Sequence, residues 1–288
     1  MNYTVDQTIA SSLLLYLDNL FLNYGQAYTL VTGQFKPQTD SKFPANYNIY
    51  AAPNNQWVAD SSISTVPVIS GVYCSGQFIP RNTSGCTLDF LNGRVFLTGS
   101  GTNNLKNVSG VYCKKDFNFY LGTEYITQAF LERTLNGQQN YLNNYPSPYT
   151  YVMPAVFISP QIEKNVPFAL GGAKTKKFSF SVTIISDNNT NFYGAKSLIT
   201  DSLERQIPII SNSDTPYNYF GDLKGGNYNY SGLVQTYAAN SNNQAYIKNV
   251  IINAAKTFRG KVLNFEEFFI SYGTVELEIY NYFTPALI

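Results

Sequence analysis

From residue 28 onward, the sequence consists largely of short runs of β-branched and aromatic residues separated by clusters of Gly, Pro, Asn and Ser. Such runs indicate β-strands joined by turns, because branched and aromatic side chains pack well on a pleated sheet. The sequence therefore predicts a β-rich fold. In the first half of the chain, strands are expected at 27–32, 47–52, 66–74, 86–90, 94–98 and 110–121.

Two local motifs add detail to this first half. Asn92-Gly93 lies between two of the predicted strands and favours a tight hairpin with a type I′ turn, because both residues tolerate positive φ. The pentapeptide SGVYC occurs at 70–74 and again at 109–113. Two interpretations remain open: equivalent strands of one sheet that place Cys74 and Cys113 alike, or coincidence in a sequence of low complexity.

The second half gives clearer signals. In 177–186, Phe178, Phe180 and Val182 alternate with serine and threonine, which is the period of a strand with one buried face. A helix is expected at 194–207, and Pro208 should end it because proline disfavours helix in the preceding residue. Further strands are expected at 151–159, 246–255 and 271–282.

The first element is an amphipathic helix. Apolar residues recur at the i, i+3, i+4 spacing of one helical face, and Gly25 follows as a natural C-terminal cap. One interpretation is a helix packed on a sheet. The other places part of its wide face at a subunit interface, with Leu13, Tyr16 and Leu20 as the candidate contact residues.

Together these elements predict an α+β fold: β-rich, with mixed sheets, a long N-terminal helix, and a second helix packed on a sheet in the C-terminal half. The segment 138–151 has little periodicity and two prolines, which is typical of a linker. We therefore expect an N-terminal helix plus β-rich domain at 1–140 and an α+β domain at 141–288. The stretch 212–243 is long for a loop, so it should be functional or ordered by a partner.

Several chemistries find no support in the sequence. The chain has no histidine, which removes Ser-His-Asp catalysis, His-ligated zinc and imidazole proton transfer. The spacing of Cys74, Cys86 and Cys113 fits neither a zinc site nor a redox motif, and buried free thiols are expected. Lys and Arg number 19 against 18 Asp and Glu, and a balanced charge is unlike that of a nucleic-acid binder. No catalytic residue, cofactor or metal site is predicted.

Weaker chemical signals have simpler explanations. Gly171-Gly172-Ala173-Lys174-Thr175 departs from a phosphate-binding loop, because Ala173 stands where that loop needs glycine. Glu276 and Glu278 share one face of a strand and could act as a carboxylate pair, although alternating acids usually mark a solvated sheet face. The residues 1–6 carry no Lys or Arg, so a signal peptide is not expected, and no apolar run is long enough for a membrane span.

Other residues are candidates for contacts with partners. Asp201, Glu204 and Arg205 lie on the polar side of the predicted second helix, where Asp201 and Arg205 could pair within the helix or across subunits. Tyrosine is abundant, with 24 residues, and Tyr228 and Tyr230 in the long Asn-rich stretch are further interface candidates. The abundance fits a protein that is mostly contact surface, or compositional drift in an AT-rich genome.

Two stretches resemble virion structural proteins of tailed phages, especially marine ones: SGVYCSGQFIPRNTSGCTLDFLNGRVF at 70–96 and PFALGGAKTKKFSFSVTIISDNNTNFYGAKSLITDSLERQIPI at 167–209. The order of two strands, a helix and a closing strand in the second half resembles the tail-terminator or neck fold. The resemblance covers roughly residues 5–25, 66–100 and 151–288. Residues 27–135 depart from a minimal terminator. They are either an added outer domain or a sign that the protein has another virion role.

The resemblance implies a ring, commonly a hexamer, that joins the tail to the head-proximal connector of a virion assembled in the host cytoplasm. Its expected partners are copies of itself, tail tube or sheath proteins and neck proteins, with DNA passing through the lumen without specific binding and with no membrane. The alternatives are a glycan- or receptor-binding β module of a virion, another capsid or baseplate component, and a carboxylate enzyme.

Overall fold

A computed structural model of the chain describes residues 5–43, 46–81, 85–98, 107–122, 151–167, 174–238, 244–258 and 268–280. These residues form two β-sheets and three α-helices. The β-rich character and the long N-terminal helix that the sequence predicts are therefore confirmed.

The first sheet is built from strands of the first half of the chain. They are β1 (Tyr28–Gln38), β2 (Tyr47–Ala51), β3 (Gly71–Cys74), β4 (Gln77–Pro80), β5 (Cys86–Asp89), β6 (Arg94–Thr98) and β7 (Val108–Lys115). Their order is β4-β3-β7-β1-β2-β6-β5, and all neighbours are antiparallel. β1 connects the two halves of the sheet, because it pairs with β7 through its first eight residues and with β2 through its last three.

The first sheet encloses a core centred on Trp57, whose side chain is fully buried. The ring centroid of Trp57 lies 4.8 Å from that of Tyr112 and 5.8 Å from that of Phe35. The backbone of Trp57 forms a β-bridge with Lys114 and donates a hydrogen bond to the Phe90 carbonyl at 2.7 Å. This segment therefore joins β7 to the hairpin at the other end of the sheet.

The second sheet contains β8 (Asn118–Leu121), β9 (Ala155–Pro167), β10 (Lys174–Ser186), β11 (Gln206–Pro208), β12 (Gln244–Ile252), β13 (Lys256–Phe258) and β14 (Phe268–Tyr280). Its order is β11-β12-β14-β10-β9-β8, with β13 also paired to β14. β8 runs parallel to β9, so the sheet is mixed. The predicted alternation is confirmed: Phe178, Phe180 and Val182 are buried on the same face as their β14 partners.

Helix α1 (Val5–Asn23) lies between the two sheets. Ile9, Leu13, Leu17 and Phe21 are buried in the core of the second sheet, and Leu15 is buried in the core of the first. The helix therefore packs on both sheets, which explains why its apolar face is wide. Among the described helices, none is long and apolar enough to cross a bilayer.

Helix α2 (Asn189–Thr200) packs on the second sheet, as expected, but its bounds differ from the predicted 194–207. It begins earlier because the Asn188 side chain caps it, accepting from the backbone N–H of Thr190 at 2.7 Å. It ends earlier because the chain turns after Thr200. Ile207, expected on the helix, is instead buried in β11.

The predicted strand 110–121 is two strands that belong to different sheets. β7 ends at Lys115; Asp116 then donates its N–H to the Ala27 carbonyl at 2.9 Å, and its carboxylate accepts from the Thr29 hydroxyl at 2.9 and 2.7 Å. β8 then begins at Asn118 and joins the second sheet. An apolar run alone does not reveal such a transfer between sheets.

The hairpin at Asn92-Gly93 is confirmed, but its tight turn is not. The last pair of the hairpin is Asp89 with Arg94, which leaves a four-residue loop, and the Asp89 carboxylate accepts from the Asn92 backbone N–H at 3.0 Å. Gly93 has positive φ, at +62°, whereas a type I′ turn needs two such residues. The side chain of Asp89 therefore selects the wider loop.

The repeated pentapeptide lies on neighbouring strands of one sheet, but its cysteines are not placed alike. β3 and β7 are antiparallel, and Cys74 pairs with Val108. That register puts Cys74 in the first core, whereas Cys113 faces the other side of the sheet, against the C-terminal part of α1 and the loop that follows Trp57.

The two halves of the chain exchange elements. β8, from before the predicted boundary near residue 140, belongs to the second sheet; the boundary itself lies outside the described residues. In return, residues 209–238, here called the crossing segment, pack on the first core through Leu223, Tyr228 and Tyr230. The segment ends in α3 (Tyr230–Ala238). Residues 212–238, predicted to need a function or a partner for their order, are therefore ordered by their own chain.

Candidate functional site

A buried ion pair joins α1 to the first sheet. The Lys115 ammonium donates to both oxygens of the Asp18 carboxylate, each at 2.7 Å. The exposed fractions of the two side chains are 7% for Lys115 and 10% for Asp18. Burial alone would lower the pKa of Lys115, but the Asp18 carboxylate more than offsets burial and raises it. Lys115 therefore keeps its charge inside the protein.

Asp60 connects α1 to the crossing segment beside this pair. One of its oxygens accepts from the Asn19 side-chain amide at 2.8 Å. The other accepts from the backbone N–H groups of Ser62 at 2.9 Å and Tyr230 at 3.1 Å. We call Asp18, Asn19, Asp60 and Lys115 the junction cluster. Because it ties α1, β7 and the crossing segment together, it fixes the arrangement of both sheets.

Tyr228 and Tyr230, two of the predicted interface residues, lie beside the junction cluster and are buried. The Tyr228 carbonyl accepts from the Ser61 backbone and hydroxyl, both at 2.8 Å. Burial, followed by the Asp60 and Asp18 carboxylates, raises the pKa of Tyr228, so its hydroxyl stays neutral. Both side chains make their contacts within the chain.

The interface candidates on α1 are also partly used inside the chain. Leu13 is fully buried in the second core, and Leu20 packs against the same core. Tyr16 is half-buried between both cores, close to Tyr230 and Arg205. The structure thus brings Tyr16 near Tyr230 and Arg205, and Tyr228 near Tyr230; the role of these residues at a subunit interface stays a prediction.

Asp201, Glu204 and Arg205 lie in the turn after α2 rather than on the helix. Asp201 is the C-cap, and Glu204 has a left-handed backbone conformation with φ of +63°. The Glu204 N–H donates to the Ile247 carbonyl at 2.8 Å, which anchors the turn to β12. The i, i+4 geometry expected for the Asp201–Arg205 pair is therefore not formed, because the helix ends at Thr200.

A second buried charge cluster lies on the outer side of β5 and β6. The Arg94 guanidinium donates to Asp89 at 2.8 and 3.0 Å and to Asp40 at 2.7 Å. Arg94 also lies over the rings of Phe43 and Phe96, with its central carbon 5.4 and 5.3 Å from their centroids. A cation between two rings and two carboxylates holds the β5–β6 hairpin and the β1–β2 connection together.

The crossing segment is attached to this region at two further points. Arg81, after β4, pairs with Asp222 at 2.8 Å, and both side chains are buried. Gly221 approaches Asp89 so closely that an added Cβ would lie 2.1 Å from a carboxylate oxygen. The Phe90 N–H donates to the Gly221 carbonyl at 3.0 Å. Glycine is required here by both the close approach and its φ of +79°.

The candidate carboxylate pair, Glu276 and Glu278, and the single tryptophan, Trp57, lie where the structure gives them roles in the fold. Glu278 receives an ion pair from Lys177 and a hydrogen bond from Tyr280 at 2.9 Å, on the face it shares with Glu276. Burial alone would raise the pKa of Glu278, but these two partners lower it, and a general acid needs the opposite shift. Trp57 is in the core, where it cannot stack on a glycan. The loop 171–175 lies largely outside the described residues.

The sequence did not identify the charged residues that organise the fold. One signal was present: Asp18 interrupts the apolar face of α1, and a carboxylate at such a position needs a cation. Its partner, Lys115, is 97 residues away and carries no comparable mark. Within the part of the chain that the structure describes, no group of three His, Cys, Asp or Glu side chains could hold a metal ion.

The three cysteines are buried free thiols, as predicted. Burial raises the pKa of each of them, and that of Cys86 reaches about 12. Since only the thiolate reacts, we expect the native protein to resist a thiol reagent from pH 7 to pH 9 and to release three equivalents after unfolding in guanidinium. An Asn191→Cys variant, with its new thiol on exposed α2, should react at once with one equivalent. Fast labelling of the unmodified chain would contradict this prediction.

One part of the first sheet presents apolar side chains to solvent. Tyr73 and Phe78 are 46% and 42% exposed, and their ring centroids lie 5.2 Å apart. Val111 on β7 and Leu30 on β1 are 43% and 58% exposed on the same side. We call this surface the open face. Its aromatic pair and branched residues make it suited to contact with another macromolecule.

No protein-family model and no curated protein matches this sequence. The features of the molecule that bear on its function are the arrangement of the two sheets, the buried clusters that hold them and the surfaces they leave exposed.

Proposed function

We propose that this protein is a structural component of a phage virion that forms a ring at the head-proximal end of the tail, as a tail terminator or neck component. The observation that carries the proposal is the arrangement of the second sheet. β9 and β10 form a hairpin, α2 follows and packs on one face, and β14 pairs beside β10. This is the order on which the resemblance of residues 151–288 rests.

The mechanism would be geometric. Contacts between identical subunits close into a ring only when each subunit keeps a defined shape. Buried ion pairs support such a shape: the junction cluster ties the first sheet to α1, and the Arg94 cluster fixes the arrangement within the first sheet. The expected partners are copies of the chain, commonly six, together with tail tube or sheath and neck proteins. With a net charge of +1, the ring would let DNA pass without binding it specifically.

Negative-stain electron microscopy and light scattering over a concentration series test this proposal. We expect closed rings with an open centre and a mass that is a whole multiple of 32.2 kDa, six subunits being the predicted number. The matched sample is the same protein below the concentration at which rings form, which should scatter as a monomer. A chain that stays monomeric at every concentration and binds a defined glycan would contradict the ring.

A glycan- or receptor-binding module of a virion is the second candidate, and one observation favours it. Tyr219, at 82% exposure, projects beside Phe220, whose ring stacks with Phe43 at 5.6 Å. Tyr47 adds a further ring at 6.2 Å from Phe220. Of these rings Tyr219 is the exposed one, and an exposed tyrosine ring can stack on a sugar. Specific binding on a glycan array would support this function over the ring.

A further inference from the structure

We propose that the open face is a contact between two copies of this chain, packed sheet against sheet around a two-fold axis. This inference goes beyond the proposed function, because a ring needs head-to-tail contacts, whereas a two-fold contact presents the same surface on both subunits. It can therefore hold or fail independently of the ring.

The register of the strands defines which residues form the open face. Cross-strand partners share a face, so Tyr73 lies beside Phe78 on β4 and Ser109 on β7. Ser109 in turn lies beside Gln34 on β1. Four strands therefore contribute to one continuous surface. Its outward-facing residues are Leu30, Thr32, Gln34, Tyr73, Phe78, Ser109 and Val111.

The same side of this sheet is already covered by the chain at its other end. There Leu22 of α1 packs on Cys113 together with Val58, Ile63 and Val66 of the loop after Trp57. Leu30, the cross-strand partner of Cys113, stands at the border of that cover. The open face is thus the uncovered continuation of an apolar sheet surface, and a layer packed on it would extend a contact that the fold already makes.

The two aromatic residues are fixed before any partner arrives. The Phe78 ring lies across Gly71, where an added Cβ would be only 2.7 Å from the ring. The Tyr73 ring packs beside that of Phe78, with 5.2 Å between ring centroids. Rigid aromatic side chains lose little conformational entropy on binding, and they are the typical anchors of protein interfaces.

The chemistry of the open face favours a second copy over a different partner. A two-fold contact brings each group near its own equivalent, so a charged face would repel itself. None of its seven outward-facing residues is Asp, Glu, Lys or Arg, and the exposed Lys36, two residues after Gln34 on the same side of β1, stands at its border. Lateral strand addition is disfavoured, because the edge strand β4 has four residues and ends at Pro80, which has no N–H to donate. Packing face to face is the arrangement left to such a surface.

The size of the face sets the strength of the contact. Four strands at about 4.8 Å spacing and about four residues along each give on the order of 250 Å², roughly a third of the 800 Å² that a standard interface buries on each partner. The pairing should therefore be weak and should need a high local concentration. A virion, in which many copies lie together, supplies such a concentration.

Complementary charges at Tyr73 test the two-fold contact by sedimentation velocity from about 1 μM to about 1 mM, the range in which weak contacts dissociate. Tyr73→Lys alone and Tyr73→Glu alone should each weaken dimerisation at least about tenfold, because like charges then face each other. An equimolar mixture of the two variants should recover association to within about threefold of the natural chain. Recovery shows that both variants fold and that the face meets itself.

Tyr272 provides the matched control. It is an exposed tyrosine on a strand of the second sheet, at 45% exposure against 46% for Tyr73. Tyr272→Lys and Tyr272→Glu should leave dimerisation unchanged. Three outcomes would overturn the proposal: a natural chain that stays monomeric to about 1 mM, dimers that are insensitive to charges at Tyr73, or variants that the mixture does not rescue. If the proposed ring also forms, the Tyr73 variants should lose dimerisation and still form rings, because the ring uses other contacts.

Discussion

Replacing Lys115 with methionine is expected to lower the free energy of unfolding by about 3–5 kcal/mol, the cost of leaving a buried charge without its partner. Methionine keeps the length and apolar stem of lysine, so the change removes chiefly the charge. The Asp18 carboxylate would remain buried at the centre of the fold with Asp60 nearby. Two buried carboxylates without a cation destabilise the fold more than one does, because they also repel each other.

Which of the two single variants loses more free energy of unfolding is a sharper test than the size of either loss alone. Asp18→Asn should cost less than Lys115→Met, because Lys115 then still has the Asp60 carboxylate close enough to favour its charge. The double variant Asp18→Leu/Lys115→Met should lie within about 1 kcal/mol of the natural chain, or above it, because a packed apolar pair avoids the desolvation of two ions.

Chemical denaturation in urea at pH 7, followed by circular dichroism, measures these differences. Lys177→Met is the matched control, because Lys177 also pairs with a carboxylate, that of Glu278, but is 47% exposed. Its loss should cost less than about 1 kcal/mol, as is typical of surface pairs. Equal losses for Lys115→Met and Lys177→Met would contradict a structural role for the junction cluster.

The strands of the second sheet were the part of the fold most open to prediction. In β10, the alternation that begins at Phe178 is a local signal, because each side chain faces the side opposite to its neighbours. β14 shows the same alternation, and its Val275, Leu277 and Ile279 are buried as expected. Wherever one face is buried and the other solvated, the sequence alone identifies the strand.

The parts that the sequence could not predict depend on contacts between distant residues. The run at 110–121 looks continuous, and its division between two sheets depends on distant partners, because β7 pairs with β1 and β8 pairs with β9. Likewise, nothing local shows that Tyr228 and Tyr230 belong to the core of the first sheet, since their partners lie near Asp60. Helical spacing and residue type predict the interface candidates, and neither property shows whether a side chain is buried against distant parts of its own chain.

The exchange of elements explains why this fold is held by buried charges rather than by apolar contacts alone. Apolar packing is non-directional, so it could hold the crossing segment against the first sheet in several registers. Ion pairs and hydrogen bonds are directional, so each of them forms in only one register of the crossing segment. Two such contacts hold it here, Arg81 with Asp222 and Asp60 with Tyr230. In the proposed ring, subunits whose surfaces lie at defined angles would gain from such directional contacts.

Replacing Arg94 with methionine is the second change with a large expected effect, a loss of about 3–5 kcal/mol in the free energy of unfolding. It would leave the buried carboxylates of Asp89 and Asp40 without their cation. It would also remove the guanidinium from its position over the rings of Phe43 and Phe96. Arg94→Lys should fall between the natural chain and Arg94→Met, because lysine restores the charge but not the forked contact.

The loss should also have a local signature that separates it from a general weakening of the fold. Without Arg94, the Asp89 carboxylate would no longer be held in place to accept from the Asn92 N–H or to pack closely against Gly221. Hydrogen exchange at the Phe90 and Asn92 amides should therefore accelerate in Arg94→Met more than at the amides of β10. Arg205→Met, at an exposed arginine, should change stability by less than about 0.5 kcal/mol and leave both amides unaffected. Uniform acceleration across both sheets would show instead that Arg94 stabilises the whole chain and does not specifically anchor the crossing segment.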